Sequence, residues 1–544
     1  MNSFHITLRT PPEILGMISS YLSEEDLFSA SQVCSYWRSV LISIAYLWVR
    51  ISCDDVPRTT VSLERSKSLP IQLLVDSSPS NVALENVLLH KNAVASLTFN
   101  YEPTAIPQLL QLLRFSGPTV EQLHLYTDHI YLSGDQEETL RASWQGDFPS
   151  LRELFASDFY IPVDQLAAPN LVHLSLEHTE FRRDATVPKF LDMLHGCPLL
   201  ETLLIGSSSA ITPGPTRDRT SVRLPHLRCI EMGSFEVRSG LITYLDLPLG
   251  VSVGFRQMDL SDILRVDVPL TVLASIQHVL GGIGIRCVTL AAPPDSNSPR
   301  HLLIRFEGLR DSLEITTYSM YNHPQGQDIL FGPEGVLFSY SPCIENVTEL
   351  HVVGCSFESG QELIHVNRAM PKLVTISFFH CNNPPLQFAP QNPSSPPFPR
   401  LERVMVLGVE SGLEEMARAR KDLGIPLKTL IVGRGPKGSG YENLELDHTV
   451  LAELVEDLRV GCPTMVLDWE TGNEVQTLWS TVRSYGPVSP TDTPVILGLT
   501  TFCSSFSKYC PRRLSSFDLM LRGRMAQVRG LTLNGHHKVY WRPC

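Results

Sequence analysis

Residues 11–38 read PPEILGMISSYLSEEDLFSASQVCSYWR. Pro11 and Pro12 suit a helix start, where a missing N–H and a fixed φ cost nothing. The helix they begin carries Ile14, Leu15, Ile18, Tyr21 and Leu22 at three- and four-residue spacing, which predicts one apolar stripe. Ser23 can cap a second helix, and Glu24, Glu25 and Asp26 suit the positive end of its dipole. Leu27, Ala30, Val33 and Cys34 form a second apolar face, followed by Trp37, Val40 and Leu41 and a closing Leu47-Trp48. Three short helices have little volume in which to hide so many large side chains. Their aliphatic stripe and two tryptophans are therefore expected to exceed what the unit can bury itself, leaving a surplus for the groove of a partner. The alternative is that these helices cap the domain after them.

Periodicity alone leaves both open, and a resemblance decides between them. The run Pro11-Pro12-Glu13-Ile14-Leu15, then Tyr21-Leu22, Asp26-Leu27, Val33-Cys34-x-x-Trp37-Arg38 and Leu47-Trp48, resembles an F-box, placed at residues 8–50. An F-box usually opens Leu-Pro, whereas this chain has Thr10 before Pro11 and Leu8 two places earlier. The resemblance implies binding to the Skp-type adaptor of a cullin–RING ubiquitin ligase. The residues it implies are Pro11, Pro12, Ile14, Leu15, Ile18, Leu22, Leu27, Ala30, Val33, Cys34, Trp37, Leu41, Leu47 and Trp48.

The whole chain of 544 residues is 43% apolar, enough for substantial cores. A net charge of -13, with no basic stripe over most of the length, argues against nucleic acid as a partner. The 12 cysteines show neither C-x-x-C pairs nor Cys/His sets at zinc spacing, so they read as reduced, mostly buried thiols with no metal or cofactor. The N-terminus lacks the pattern of a secretory signal, and no apolar run is long enough to span a bilayer. Cytoplasm or nucleus is the expected location, with no membrane partner and no glycan on the Asn346-Val347-Thr348 sequon.

A connector, 51–80, reads as helix and then strand, ending in Ile71-Gln72-Leu73-Leu74-Val75. From 81 to 465 one apolar triad recurs: Val94/Leu97/Phe99, Val120/Leu123/Leu125, Leu151/Leu154/Ala156, Leu171/Leu174/Leu176, Leu200/Leu203/Ile205 and Leu227/Ile230/Met232. It resumes at Val347/Leu350/Val352, Leu373/Ile376/Phe378, Leu401/Val404/Val406 and Leu427/Leu430/Val432. Proline leads many copies, in FPSL, APNL, CPLL, LPHL, MPKL and FPRL, and marks each entry from loop to strand. The spacing, about 20–31 residues within each set, is close to that of leucine-rich repeats. The fold class expected is therefore an α/β repeat, a three-helix F-box followed by an irregular leucine-rich-repeat solenoid. Residues 188–197 and 360–370 serve as return helices, and 236–344 as enlarged repeats rather than a separate inserted domain. Residues 466–544 form a cap or a basic extension. With its LERSKSLP connector and proline-led repeats, the chain resembles F-box/leucine-rich-repeat substrate receptors of mushroom-forming fungi.

Residues between the triad positions should face the concave side. Early copies present Thr98, His124, Tyr126, His173, Ser175 and Glu231, a mixed polar surface. Later copies present His351, Val353, Phe379, Met405, Leu407 and Ile431, an apolar strip expected to grip a target or to lie under the basic tail. Enzymatic signals are weak. Gly433-Arg434-Gly435-Pro436-Lys437-Gly438 satisfies G-x-G-x-x-G after a strand, but Pro436 and GSGYEN delay the helix that a dinucleotide fingerprint needs. His536-His537 lacks a spaced partner. The expected function is that of a non-catalytic substrate receptor. A scaffold that binds the adaptor without ligase activity comes second, and a nucleotide-binding enzyme using 433–438 third.

Overall fold

The computed structural model describes residues 10–485, apart from 76–79, 90–93, 102–107, 110, 113–117, 128–147, most of 158–167, 178, 180–185, 207–220, 260–269, 292–300, 310, 319–340, 356–361, 380, 382–397, 408–411, 434–447 and 469–472. Two compact units divide the chain, Met1–Val374 and Thr375–Cys544, so the array expected over 81–465 is shared between them.

The first unit opens with three helices, α1 (Pro12–Ser19), α2 (Glu24–Ala30) and α3 (Ser35–Ser43), and a 3-10 turn at Ala45–Trp48. Pro12 stands in the first turn of α1. The Ser23 hydroxyl accepts the Asp26 N–H at 3.1 Å and starts α2, while the Cys34 thiol takes the same place before α3, accepting from Trp37 N–H at 3.4 Å. Strand β1 (Arg50–Ser52), helix α4 (Val56–Ser66), strand β2 (Ile71–Val75) and helix α5 (Asn81–Leu89) come after the turn.

Next come β3 (Val94–Tyr101), β4 (Gln122–Thr127), β5 (Glu153–Ser157), β6 (His173–Glu177), β7 (Thr202–Gly206), β8 (Val222–Arg223), β9 (Cys229–Gly233), β10 (Leu245–Asp246) and β11 (Ser252–Asp259). The first unit ends with β12 (Cys287–Ala291), β13 (His301–Glu307), β14 (Ser312–Tyr318) and β15 (Glu349–Val353). β8 and β10 form a separate parallel pair. From β1 to β7, and on through β9 and β11, neighbours are parallel and in register, apart from one shift between β2 and β3 where Ile71 faces Val94 and Gln72 faces Ser96. Leu97, Leu123, Leu154, Leu174, Leu203, Ile230, Val253 and Leu313 thus stack in one column. Phe99, Leu125, Ala156, Leu176, Ile205, Met232, Phe255 and Ile315 stack in a second, and no member of either column is more than 2% exposed. Burying each such side chain contributes about 1.5–3 kcal/mol, which makes the columns the main support of the unit.

The interval 236–344 joins this sheet by a change of order. β14 lies beside β11 and parallel to it, β13 runs antiparallel between β14 and β12, and β12 is parallel to β15. The columns pass straight through this meander: Leu313, Phe306, Val288 and Leu350 continue the first, and Ile315, Ile304, Leu290 and Val352 the second.

Six proline-led copies share one turn. The N–H of Leu151, Leu171, Leu200, Leu227, Leu373 and Leu401 donates to the carbonyl three residues back, at Phe148, Ala168, Cys197, Leu224, Met370 and Phe398, over 3.0–3.2 Å. Proline thus occupies the second place of a β-turn, where its fixed φ is favoured. The residue before each proline is buried too, so the repeat has a fourth apolar position that the triad omits.

In the second unit β16 (Thr375–Phe379), β17 (Arg403–Leu407), β18 (Thr429–Gly433) and β19 (Asp457–Asp468) are parallel, and β20 (Asn473–Tyr485) returns antiparallel to β19. Ile376, Val404, Leu430 and Leu458 stack in register. Arg420, on the helix Leu413–Asp422, is 2% exposed and donates to the carbonyls of Phe398 at 3.2 Å and Leu401 at 2.7 Å, clasping the proline turn. Burial lowers its guanidinium to about 10.

One expectation needs correcting. His351 and Val353 in the first unit, and Phe379, Met405 and Leu407 in the second, are buried, and Ile431 is half-buried, so they form no exposed apolar strip. These strands are buried on both faces, since Val352, Val404 and Val406 on the opposite side are covered as well. Such strands read as nearly continuous apolar runs, as TISFF and RVMVL do, whereas HLSLE in β6 alternates. Residues 486–544, with the basic tail and His536-His537, lie outside the described residues, as do 434–438 of the glycine-rich segment. Gly433 itself ends β18.

Candidate functional site

The stripe expected on α1 divides in two. Leu15 lies inward with Leu27, Ala30, Val40, Leu41, Leu47 and Trp48, while Leu22, Phe28, Tyr36, Trp37 and Ile44 pack half-buried against that cluster. Gly16 lets α1 approach closely, because a Cβ there would stand 2.9 Å from Ile44 Cδ1 and 3.1 Å from the Tyr46 hydroxyl. Ile14, Met17, Ile18 and Tyr21 turn outward, exposed by 43%, 60%, 52% and 89%. Ile14, Met17 and Ile18 share one face of α1 at spacings of three and four, turned about 100° from Leu15, and Tyr21 follows in the turn just beyond the helix end. Met17 belongs to that face and was not among the expected contacts, although its position three after Ile14 and four before Tyr21 could have identified it.

The unit therefore buries more of itself than its size suggested. Of the expected contacts, Leu15, Leu27, Ala30, Leu41, Leu47 and Trp48 are core. Leu22, Cys34 and Trp37 are half-buried, and Pro11, Pro12, Ile14, Ile18 and Val33 are exposed. Trp48 is enclosed because helix α4 supplies a cover. The Arg65 guanidinium lies 4.2 Å from the centre of its ring, Phe28 packs edge-on at 5.1 Å, and the indole N–H donates to Leu41 O at 2.9 Å.

Other ties join the helices to β1 and α4. Glu24 of α2 accepts the Ser52 N–H at 3.0 Å and the Ser62 hydroxyl at 2.9 Å. Burial holds its carboxyl above the ordinary range, while the bonds from Ser52 and Ser62 and the charge of Arg58 pull it down. Arg58 pairs with Glu25 at 3.0 Å. Directly after the 3-10 turn, Ile51 enters the sheet in register with Leu73, which itself pairs with Leu97.

Large exposed hydrophobics are concentrated on this module. Among the described residues, Ile14, Met17, Ile18, Tyr21, Val33, Ile42 and Tyr46 make up seven of the fourteen, within a tenth of the chain. A contiguous exposed apolar row on one helix is the physical mark of a docking surface.

A family model described as F-box-like matches residues 9–54. No curated protein matches the chain. The chain thus carries an N-terminal F-box-like domain, followed by a strand-rich sheet region. F-box domains typically bind Skp-type adaptors, and the proteins that carry them are generally non-catalytic substrate receptors.

Away from the module the structure brings together a group that sequence spacing does not reveal. Cys287, Glu349 and His351 present their donor atoms within 4.8 Å of one another. None of the eight cysteines with described side chains is in a disulfide, and burial pushes the Cys53 thiol up to about 12 and Cys197 to about 11. No helix among the described residues is long and apolar enough to cross a membrane.

Proposed function

We propose that this chain is the substrate-recognition subunit of an SCF-type cullin–RING ubiquitin ligase, acting in the cytoplasm or nucleus. The outward face of α1 docks on the Skp-type adaptor, and the strand-rich region, a degenerate leucine-rich-repeat solenoid in this reading, takes a target protein. The observation that carries the reading is the row Ile14, Met17, Ile18 and Tyr21, left uncovered on a module whose own core is complete. Each of these side chains gains roughly 1.5–3 kcal/mol when fully covered, enough together to offset part of the cost of association. The chemistry of transfer sits on other subunits. The receptor contributes by holding a target beside a loaded conjugating enzyme, which turns a bimolecular encounter into an effectively intramolecular one.

The ties of Glu24, Arg58 and Arg65 support this reading, because a receptor must hold its target at a set distance from the adaptor. Co-expression of the full chain with a Skp-type subunit tests the first half, a soluble stoichiometric complex being expected. Reconstituted ubiquitin transfer to co-purifying proteins tests the second. A complex that forms but transfers nothing would leave a scaffold that binds the adaptor alone.

A further inference from the structure

β12 and β15 are parallel neighbours, with Cys287 opposite Glu349 and Thr289 opposite His351. Alternation along β15 sends Glu349 and His351 to the same side, two residues apart, and the pairing sets Cys287 beside them. His351 Nε2 lies 3.8 Å from Glu349 Oε2, and the Cys287 Sγ completes a triangle with no side longer than 4.8 Å. His351 is buried and Cys287 half-buried, so the group is sheltered from bulk water.

We propose that Cys287, Glu349 and His351 form a zinc site with three protein ligands and a fourth position left to water. The donor set argues for this metal. A thiolate, an imidazole and a carboxylate suit a borderline-soft divalent cation, whereas magnesium and calcium are held by oxygen alone. A tetrahedral ion with ligand bonds of about 2.0–2.3 Å places its donors roughly 3.3–3.8 Å apart. The present spacing therefore has to close by at most about 1.5 Å, a movement that side-chain rotation on fixed strands can supply.

Charged groups of both signs surround the triangle. Glu307 on β13 pairs opposite Cys287 and adds a further carboxylate, and Arg305 stands 3.2 Å from Glu307 and 3.6 Å from Glu314. On binding, the thiol gives up its proton and the thiolate becomes the ligand. The placement also has a consequence for the fold. β12 is the strand at which the antiparallel meander rejoins the parallel order, and a metal between β12 and β15 would pin that seam.

The test uses the full chain, stripped by a chelator and titrated with zinc or cobalt(II). The expected result is one equivalent bound, a thiolate-to-cobalt absorption band in the near ultraviolet, and a rise in the thermal midpoint with zinc. Cys287→Ser is expected to abolish the band. His351→Gln is expected to keep the fold and weaken zinc binding at least about tenfold. If the serine variant does not fold, the glutamine variant decides alone. Absence of the band in the wild type, an undiminished band in Cys287→Ser, or unchanged zinc affinity in His351→Gln overturns the proposal.

Discussion

The two parts of the first unit treat apolar side chains in opposite ways. In the sheet, each triad residue from Val94 to Met232 is at most 3% exposed, and the columns leave no apolar surplus. In the helices before it, Leu15 and Trp48 are just as well buried, yet Ile14, Met17, Ile18 and Tyr21 stay in solvent one helical face away. A repeat array buries each strand against the next, so a triad residue always has a neighbour. Among the described residues, helix α1 has neighbours on one side only. The contrast teaches that the proposed docking surface consists of what remains after the module has satisfied its own core.

The largest effects should come from the shared core. Trp48→Ala removes a ring packed by Phe28 and Arg65, and is expected to lower stability by about 3–5 kcal/mol in urea unfolding. Leu174→Ala, in mid-column between Leu154 and Leu203, is expected to cost about 2–5 kcal/mol by the same measurement. A much smaller loss at Leu174 would mean that the columns are not the support described.

Arg420→Ala separates the second unit from this comparison. It removes the guanidinium bonds to the Phe398 and Leu401 carbonyls, the first of which keeps the Leu401 N–H, and about 2–3 kcal/mol of destabilisation is expected, read as earlier protease cleavage in that unit. Ser23→Ala is milder, about 1 kcal/mol, because it removes one helix cap. Thiol labelling gives a probe without mutation. With Cys53 held near 12 and Cys197 near 11, both should react far more slowly with iodoacetamide at pH 8 in the native chain than in urea.

Much of the architecture was legible. The triads named every strand column from Val94 to Met232 because a covered strand face imposes a period of two whatever its neighbours are. The Ser23 cap and the helix-then-strand order of α4 and β2 came from local chemistry. What was not legible depended on contacts between distant residues. The inward and outward faces of α1 differ by the cover that α3, Ile44 and Tyr46 provide, which no spacing within residues 12–22 encodes. The order β11-β14-β13-β12-β15 and the meeting of Cys287 with His351 are likewise products of topology. His351, Met405 and Leu407 were misjudged because a strand covered on both faces has no exposed register to find.

The helices are also not a detachable cassette. A cut after residue 53 would remove Ser62, Arg58 and Arg65, and with them one of the two hydrogen bonds of Glu24, the ion pair of Glu25 and the guanidinium over Trp48. Tests of docking therefore belong on the full chain.

The most direct measurement compares two charge substitutions on α1 in the full chain co-expressed with a Skp-type adaptor, scored by co-purification and by thermal unfolding. Ile18→Asp, on the outward face, is expected to leave stability within about 0.5 kcal/mol of wild type and to abolish the complex. Leu15→Asp, in the core, is expected to unfold the module. An Ile18→Asp chain that still co-purifies with the adaptor at wild-type yield would contradict the assignment of that face.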